Sequence, residues 1–261
     1  MTSVSDLAAR FSLAGRTAIV TGASGALGSR FAETLAGAGA AVALAARRTG
    51  AMEPLRDRLR AQGGQAEIVA MDVTDAASVA AGLAAAEAAL GPVDIVVNNS
   101  GVAAPAAALD EADEDWARVF AVNLDGARRL SVAAVRRLVA LKRPGAIVNV
   151  ASILGLRQGA GVTAYAASKA ALVQMTRQHA LEWARHGVRV NALCPGYVET
   201  DLNRDFFATE AGQAQIRRIP QRRLGRPEEL DGPLLLLASD AGSFLTGTAL
   251  VADGGHLVSP L

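Results

Sequence analysis

Short apolar runs punctuate the chain at Thr17–Thr21, Ala41–Ala45, Ala66–Ala70, Asp94–Asn98, Ala146–Ala151, Arg189–Leu193 and Thr248–Ala252. Most are continuously apolar instead of alternating, which is the pattern of strands covered on both faces in a parallel sheet. Longer Ala-, Leu- and Arg-rich stretches lie between them. They predict helices over Ala26–Ala36, Met52–Gln62, Ala76–Leu90, Asp113–Lys142 (as one helix or two), Thr163–His186 and Pro227–Ala238. Asp75 stands as an N-cap, Gly63-Gly64 as a helix stop, and Pro227 in the first turn of the last helix.

Strand and helix alternate strictly, which predicts right-handed βαβ crossovers. The expectation is one α/β domain over residues 1–261, with a doubly wound, seven-stranded parallel sheet and helices on both faces. Residues 196–226 break the alternation. An insertion of that length after the sixth strand is expected to be a substrate-binding lid.

Composition narrows the function classes. Lys+Arg number 26 and Asp+Glu 25, a net charge of +1, so the basic excess of a nucleic-acid binder is missing. With 51% hydrophobic and 20% charged residues, wholesale disorder is excluded. The one cysteine, Cys194, has no internal disulfide partner, which fits a reducing compartment, and it is expected to pack at a strand end. The three histidines, His179, His186 and His256, are too scattered for a structural zinc site, so no metal and no histidine chemistry is expected. No apolar run approaches the ~20 residues of a membrane span. Met1–Arg10 carries Asp6 and no apolar core of a signal peptide, so a cytoplasmic protein is expected.

The first strand runs directly into Gly22-Ala-Ser-Gly25-Ala-Leu-Gly28 and then a helix. In an open α/β sheet this turn is where a dinucleotide pyrophosphate meets a helix N-terminus. Glycines there let the backbone approach phosphate. A Gly-rich turn can also be only a tight turn; the strand before it and the helix after it favour a nucleotide site.

Thr21-Gly22 with Gly28, then Asn98-Asn99-Ser100-Gly101, Ser152, Tyr165-x-x-x-Lys169 and Pro195-Gly196 follow in order over nearly the whole chain. In these motifs the chain resembles the short-chain dehydrogenase/reductase family. Two positions depart from the family pattern. Ala26 replaces the middle glycine of the turn, with Gly25 one position earlier, and Ser100 stands where alanine is frequent.

The resemblance implies a Rossmann fold and an NAD(P)-dependent oxidoreductase acting on CH–OH groups. It draws a cofactor site from Gly22, Ser24, Gly25, Ala26, Leu27, Gly28, Asp72, Val73, Asn99, Ser100, Gly101, Tyr165, Lys169, Pro195, Gly196, Val198 and Thr200. At the end of the second strand, Ala43-Leu44-Ala45-Ala46 offers no carboxylate for the ribose hydroxyls of NAD(H), and Arg47-Arg48 follows. An arginine presents a planar fork to a 2′-phosphate. The resemblance puts Arg47 at the discriminating position, so NADP(H) is expected over NAD(H).

Tyr165 and Lys169 are four apart in a helical stretch and share a face. A nearby ammonium would pull a tyrosine down from its ordinary pKa of about 10 toward neutral pH. Ser152 ends the fifth strand, on the side where such sheets bind ligands. The resemblance makes Asn123, Ser152, Tyr165 and Lys169 the catalytic set. It assigns Tyr165 as acid-base, Ser152 as holder of the substrate oxygen, and Asn123 as a helix-kink residue whose water relays protons to Lys169.

Ser152, Leu154, Gln158, Tyr165 and Tyr197 are expected to line the substrate pocket. A pocket of that kind suits a small carbonyl or alcohol: a ketone, or a 3-oxoacyl group of the kind reduced by acyl-carrier reductases. Those enzymes present basic residues where Arg143 and Arg185-His186 stand here. Sugar and sugar-acid (gluconate-type) dehydrogenases share the same core motifs, and a non-enzymatic NADP sensor or scaffold would have tolerated loss of Tyr165 or Lys169. The helical stretches Asp113–Lys142 and Thr163–His186 resemble the family's oligomerising pair, implying a homotetramer.

Overall fold

The computed structural model describes residues 3–200 and 203–259; Asp201 and Leu202, within the expected lid, lie outside the described residues. The apolar runs are strands: β1 (Thr17–Thr21), β2 (Ala41–Ala46), β3 (Ala66–Ala70), β4 (Val93–Asn98), β5 (Gly145–Val150), β6 (Val188–Pro195) and β7 (Ala249–Ala252). All neighbours pair in parallel, in the order β3-β2-β1-β4-β5-β6-β7. Every residue of β1, β4 and β5 is buried, because helices cover both faces.

The helices are α1 (Val4–Arg10), α2 (Ala26–Gly37), α3 (Glu53–Ala61), α4 (Ala76–Leu90), α5 (Asp113–Phe120), α6 (Ala127–Leu141), α7 (Thr163–Trp183), α8 (Arg204–Ala208), α9 (Glu210–Ile216) and α10 (Asp231–Ala238). Successive strand residues point to opposite faces. Val20 and Val97 therefore pack with Phe31 and Leu35 of α2, Leu55 of α3 and Leu234 of α10. Ile19 and Val96 pack with Leu83 of α4 and Leu130 and Leu138 of α6 on the other side. Among the described residues, no helix is long and apolar enough to cross a membrane.

Asp75 caps α4, accepting from the Ala77 N–H at 2.9 Å. The stretch predicted over Asp113–Lys142 is two helices, joined by a π turn at Ala121–Gly126. Gly126 presses that turn against the loop after β3: a Cβ there would lie 2.7 Å from Val73 Cγ2. The insertion after β6 carries α8 and α9 and closes at its base. Val198 bridges Gly225 in parallel, the Gly225 N–H donates to the Tyr197 carbonyl at 2.9 Å, and Glu199 N–H donates to Gly225 O at 2.8 Å.

The strand order reverses direction between β1 and β4. In an open α/β sheet, the crevice at the carboxyl ends of the strands beside that reversal binds ligands.

Candidate active site

At the carboxyl end of β1 the chain turns at once. Gly22 sits at φ +65°, and a Cβ there would lie 3.0 Å from Asn99 Nδ2. Gly28, in the first turn of α2, faces back into the same contact, where a Cβ would meet Gly22 O at 2.2 Å. Gly25 is unlike both: a Cβ there would make only an ordinary 3.5 Å contact. Packing therefore requires glycine at both ends of the turn and leaves the middle free. Gly25 is also the N-cap of α2, with no side chain to satisfy the first N–H groups of the helix. Ala26, Leu27 and Gly28 line a cleft of about 550 Å³. Unpaired N–H groups at a helix start, beside close-packed backbone, suit an anion.

Thr21 Oγ1 accepts from the Asn99 and Ser100 N–H groups at 3.0 Å each, and Asn99 Nδ2 donates to Thr21 O at 2.9 Å. The ends of β1 and β4 are thereby locked together. Asn99, Ser100 and Gly101 form the cleft wall beyond the turn, opposite Ser24.

Arg47 and Arg48 follow β2, exposed on the cleft rim, and neither makes a hydrogen bond or ion pair to another described residue. The Asp72 carboxylate accepts from Thr74 N–H at 2.9 Å and Thr74 Oγ1 at 2.7 Å. These bonds, with a smaller contribution from Arg47, hold its pKa below the usual carboxylate range. Val73 is buried beside it and also faces the cleft.

Ser152 follows β5 in an extended conformation and caps a short 3₁₀ turn, Oγ accepting from Leu154 N–H at 3.1 Å. That turn is pressed onto α7: a Cβ at Gly155 would lie 2.7 Å from the Lys169 carbonyl carbon. Tyr165 and Lys169 stand one turn apart on α7. Lys169 is 3% exposed. Its Nζ donates to the Val150 carbonyl at 2.7 Å and lies 5.6 Å from the Tyr165 ring centroid.

Burial pushes the Lys169 ammonium down to about 8. Burial also raises the Tyr165 hydroxyl, while hydrogen bonding with Ser152 acts in the opposite direction. Burial is the larger influence on that hydroxyl. Cys194 lies buried on β6, where desolvation pushes its thiol up to about 11. It is a neutral packing residue, as expected.

Asn123 occupies the π turn and is 1% exposed. Its Oδ1 accepts from Val102 N–H at 2.8 Å; its Nδ2 donates to Val102 O at 2.9 Å and to Ser168 Oγ at 3.0 Å. The loop after β4 is thus drawn across the site. A Cβ on Gly101 would lie 3.5 Å from Lys169 Nζ and 3.6 Å from Asn123 Oδ1.

Pro195 ends β6, and Gly196 follows, its N–H donating to Ala252 O at 3.0 Å. Gly196, Tyr197, Val198 and Thr200 line the cleft. Asn203, which sequence reasoning missed, clips this segment: its Oδ1 accepts from Thr200 N–H at 2.9 Å and its Nδ2 donates to Val198 O at 2.8 Å. The half-buried Tyr197 ring lies 5.5 Å from Phe207 and 5.3 Å from His256. Leu154 is half-buried and Gln158 exposed on the loop between Ser152 and α7. His256 and Arg157 also approach this side, and no local sequence signal marks either. The tail that carries His256 returns to the site because β7 pairs with β6.

The profile of a family described as Enoyl-(Acyl carrier protein) reductase matches residues 22–256. Over 250 residues the chain is 36% identical to a gluconate 5-dehydrogenase of Gluconobacter oxydans (strain 621H), covering 95% of this chain and 97% of that one. It is 42% identical over 242 residues to a cis-4-hydroxycyclohexanecarboxylate dehydrogenase of Sinomonas cyclohexanicum, covering 92% and 96%. The crystal structure of a gluconate 5-dehydrogenase from Burkholderia cenocepacia J2315 in complex with NADP and tartrate matches with a TM-score of 0.93 and 35% identity, over 97% of this chain and 100% of that one. Matched along almost its whole length in sequence and in fold, this chain belongs to the short-chain dehydrogenase/reductase family and is an oxidoreductase acting on alcohol groups.

Proposed function

We propose that this protein is an NADP(H)-preferring oxidoreductase that interconverts a ketone and a secondary alcohol on a small free substrate. The observation that carries the reading is the convergence of Ser152, Tyr165 and Lys169 at the carboxyl end of β5, beside a cleft with a helix start that suits an anion. The residues present fit a dinucleotide. The turn Gly22–Gly28 and the start of α2 would hold the pyrophosphate. Arg47 and Arg48, with no hydrogen bond or ion pair to another described residue, would hold a 2′-phosphate. Asp72 and Val73 would wall the adenine, Asn99 to Gly101 the riboses, and Pro195 to Thr200 the nicotinamide side. When bound, the cofactor supplies or takes up the hydride.

The chain's own groups handle the proton. Ser152 Oγ holds the substrate oxygen. Tyr165 gives a proton to that oxygen in reduction and removes it in oxidation. Lys169, anchored on Val150 O, sets a positive charge against the Tyr165 ring. Asn123 fixes the Gly101–Val102 loop over Lys169. We read residues 196–226 as a lid on one catalytic domain, and the protein as a cytoplasmic homotetramer.

A specific observation favours a free substrate over a carrier-bound 3-oxoacyl group. Arg143, one of the expected carrier-facing residues, is bound to the buried Asp94 by Nε at 3.0 Å and Nη2 at 2.7 Å. The two curated relatives named above carry hydroxy acids in their names, which supports the sugar-acid alternative within the same chemistry. The test is initial-rate measurement with NADP⁺ and NAD⁺ on D-gluconate, cis-4-hydroxycyclohexanecarboxylate and the neutral partners sorbitol and 4-methylcyclohexanol, and with NADPH on the corresponding ketones. Turnover with NADP(H) is expected. Tight NADPH binding without turnover across an extended ketone panel would overturn the enzyme reading in favour of a sensor.

A further inference from the structure

Two groups gathered near Tyr197, Arg157 and His256, have no part in the proton chemistry above. Arg157 is half-buried, five residues beyond Ser152. Its guanidinium donates through Nη1 to the His256 carbonyl and pairs with no carboxylate among the described residues. His256 is 7% exposed, and its Nδ1 is buried without a hydrogen-bond partner. A buried polar atom left unpaired costs stability, so such atoms are rare in folded proteins and point to a ligand or another function.

Tyr197 connects this pair to the reaction centre. Its ring lies 5.3 Å from the imidazole. Burial raises its pKa and the charge on Arg157 opposes the rise, while Tyr197 itself acts on Tyr165. Among the described residues, no carboxylate pairs with the arginine. Asp253, the acid that acts on His256, is held in the tail turn: Oδ1 accepts from Gly255 N–H at 2.8 Å and Oδ2 from Leu257 N–H at 2.5 Å. Arg218 adds a second positive charge toward His256.

We propose that Arg157, with the imidazole of His256, binds the carboxylate of an anionic hydroxy-acid or oxo-acid substrate whose reacting carbon lies at Ser152 and Tyr165. This rests on the function proposed above and refines its substrate class. One guanidinium nitrogen on the His256 carbonyl fixes the plane of the fork. The remaining N–H groups suit a carboxylate, and a half-buried charge-assisted pair is stronger than a surface one. The imidazole supplies one further donor in the tautomer protonated at Nδ1. A site of this kind rejects a neutral analogue, because its polar groups would then be left desolvated and unpaired.

The test is calorimetric titration of the full chain saturated with NADPH, with which an alcohol probe cannot react. The probes are D-gluconate against sorbitol, and cis-4-hydroxycyclohexanecarboxylate against 4-methylcyclohexanol. In the unaltered protein, at least one acid is expected to bind about 10-fold or more tighter than its neutral partner, given the strength of charged hydrogen bonds. Arg157→Gln should bring that ratio close to one, with NADPH affinity as the check on folding. Arg157→Lys, which keeps the charge and loses the fork, should fall between. His256→Phe keeps a ring against Tyr197 and should lose part of the ratio. Equal affinity for acid and neutral probes, binding of neither acid, or a ratio that survives Arg157→Gln would overturn the anion site. Turnover is read separately. Acid preference in binding with no turnover of any probe would retire the proposed turnover of these acids alone. Turnover without acid preference would retire the anion site alone.

Discussion

Lys169 reaches past Tyr165 to the carbonyl of Val150: Nζ lies 2.7 Å from that oxygen and 5.6 Å from the tyrosine ring centroid. One hydrogen bond does not replace full hydration, so the interior lowers the ammonium pKa from 10.5 to about 8. Below the folded value, folded and unfolded chains both carry the proton and the cost of burying it is fully present. Between that value and the unfolded one, the folded chain has released its proton and stability rises with pH. Lys169→Met keeps the stem without the charge. The unfolding free energy of the natural protein minus that of this variant should therefore rise by about 3 kcal/mol between about pH 7 and about pH 10.5. Urea unfolding across that range measures it. A difference that stays flat would mean the lysine is not desolvated in its charged form.

Tyr165→Phe removes one hydroxyl from a half-buried ring. Its packing on α7 should survive, and the proton donor at the substrate oxygen is lost. The expected result is a fall in kcat of ~10²-fold or more with cofactor still bound. Steady-state rates with a parallel fluorescence titration of NADPH test this, and near-normal kcat would sink the assignment of Tyr165 as acid-base.

Arg47 and Arg48 stand on the cleft rim with no hydrogen bond or ion pair to another described residue, and β2 ends without an acid. Arg47→Ala is expected to weaken NADPH about 10- to 100-fold, the range of charged hydrogen bonds, and to leave NADH nearly unchanged. Fluorescence titration of both nucleotides decides. Equal losses would trace the effect to the fold instead of to a 2′-phosphate contact.

The insertion is expected to order in two parts. Its base is already bonded, through Tyr197, Val198, Glu199 and Gly225, and should resist hydrogen exchange without ligand. Amides of α8 and α9 should gain protection when NADPH binds. Unchanged exchange in both helices would remove the lid.

Much of this architecture is legible in the sequence, and the reason is local. A strand buried on both faces must be apolar throughout, so Thr17–Thr21 and Ala146–Val150 announce themselves. Tyr165 and Lys169 lie on one helical turn, so their proximity follows from spacing alone. Helix α1 is different. All its residues are exposed, and it is held by a reciprocal cap between Ser3 and Asp6 instead of by an apolar face. Hydrophobic periodicity had nothing to report there. The π turn was visible only as an over-long helical stretch, since the contact of Gly126 with Val73 comes from another part of the chain. Arg157 meets His256, and Asn203 clips Thr200, through geometry that depends on the folded insertion and the tail. No spacing in the sequence encodes either meeting.

The π turn at Ala121–Gly126 holds one residue more than the α-helical turn whose place it takes. Deleting that residue would heal the ladder and join α5 to α6 as one regular helix. It would also rotate one side of the helix against the other by about 100°, the angle a single residue subtends. Asn123 would then swing off Val102, and the strand-end loop would lose its latch. At this point the mutation that improves the helix dismantles the site.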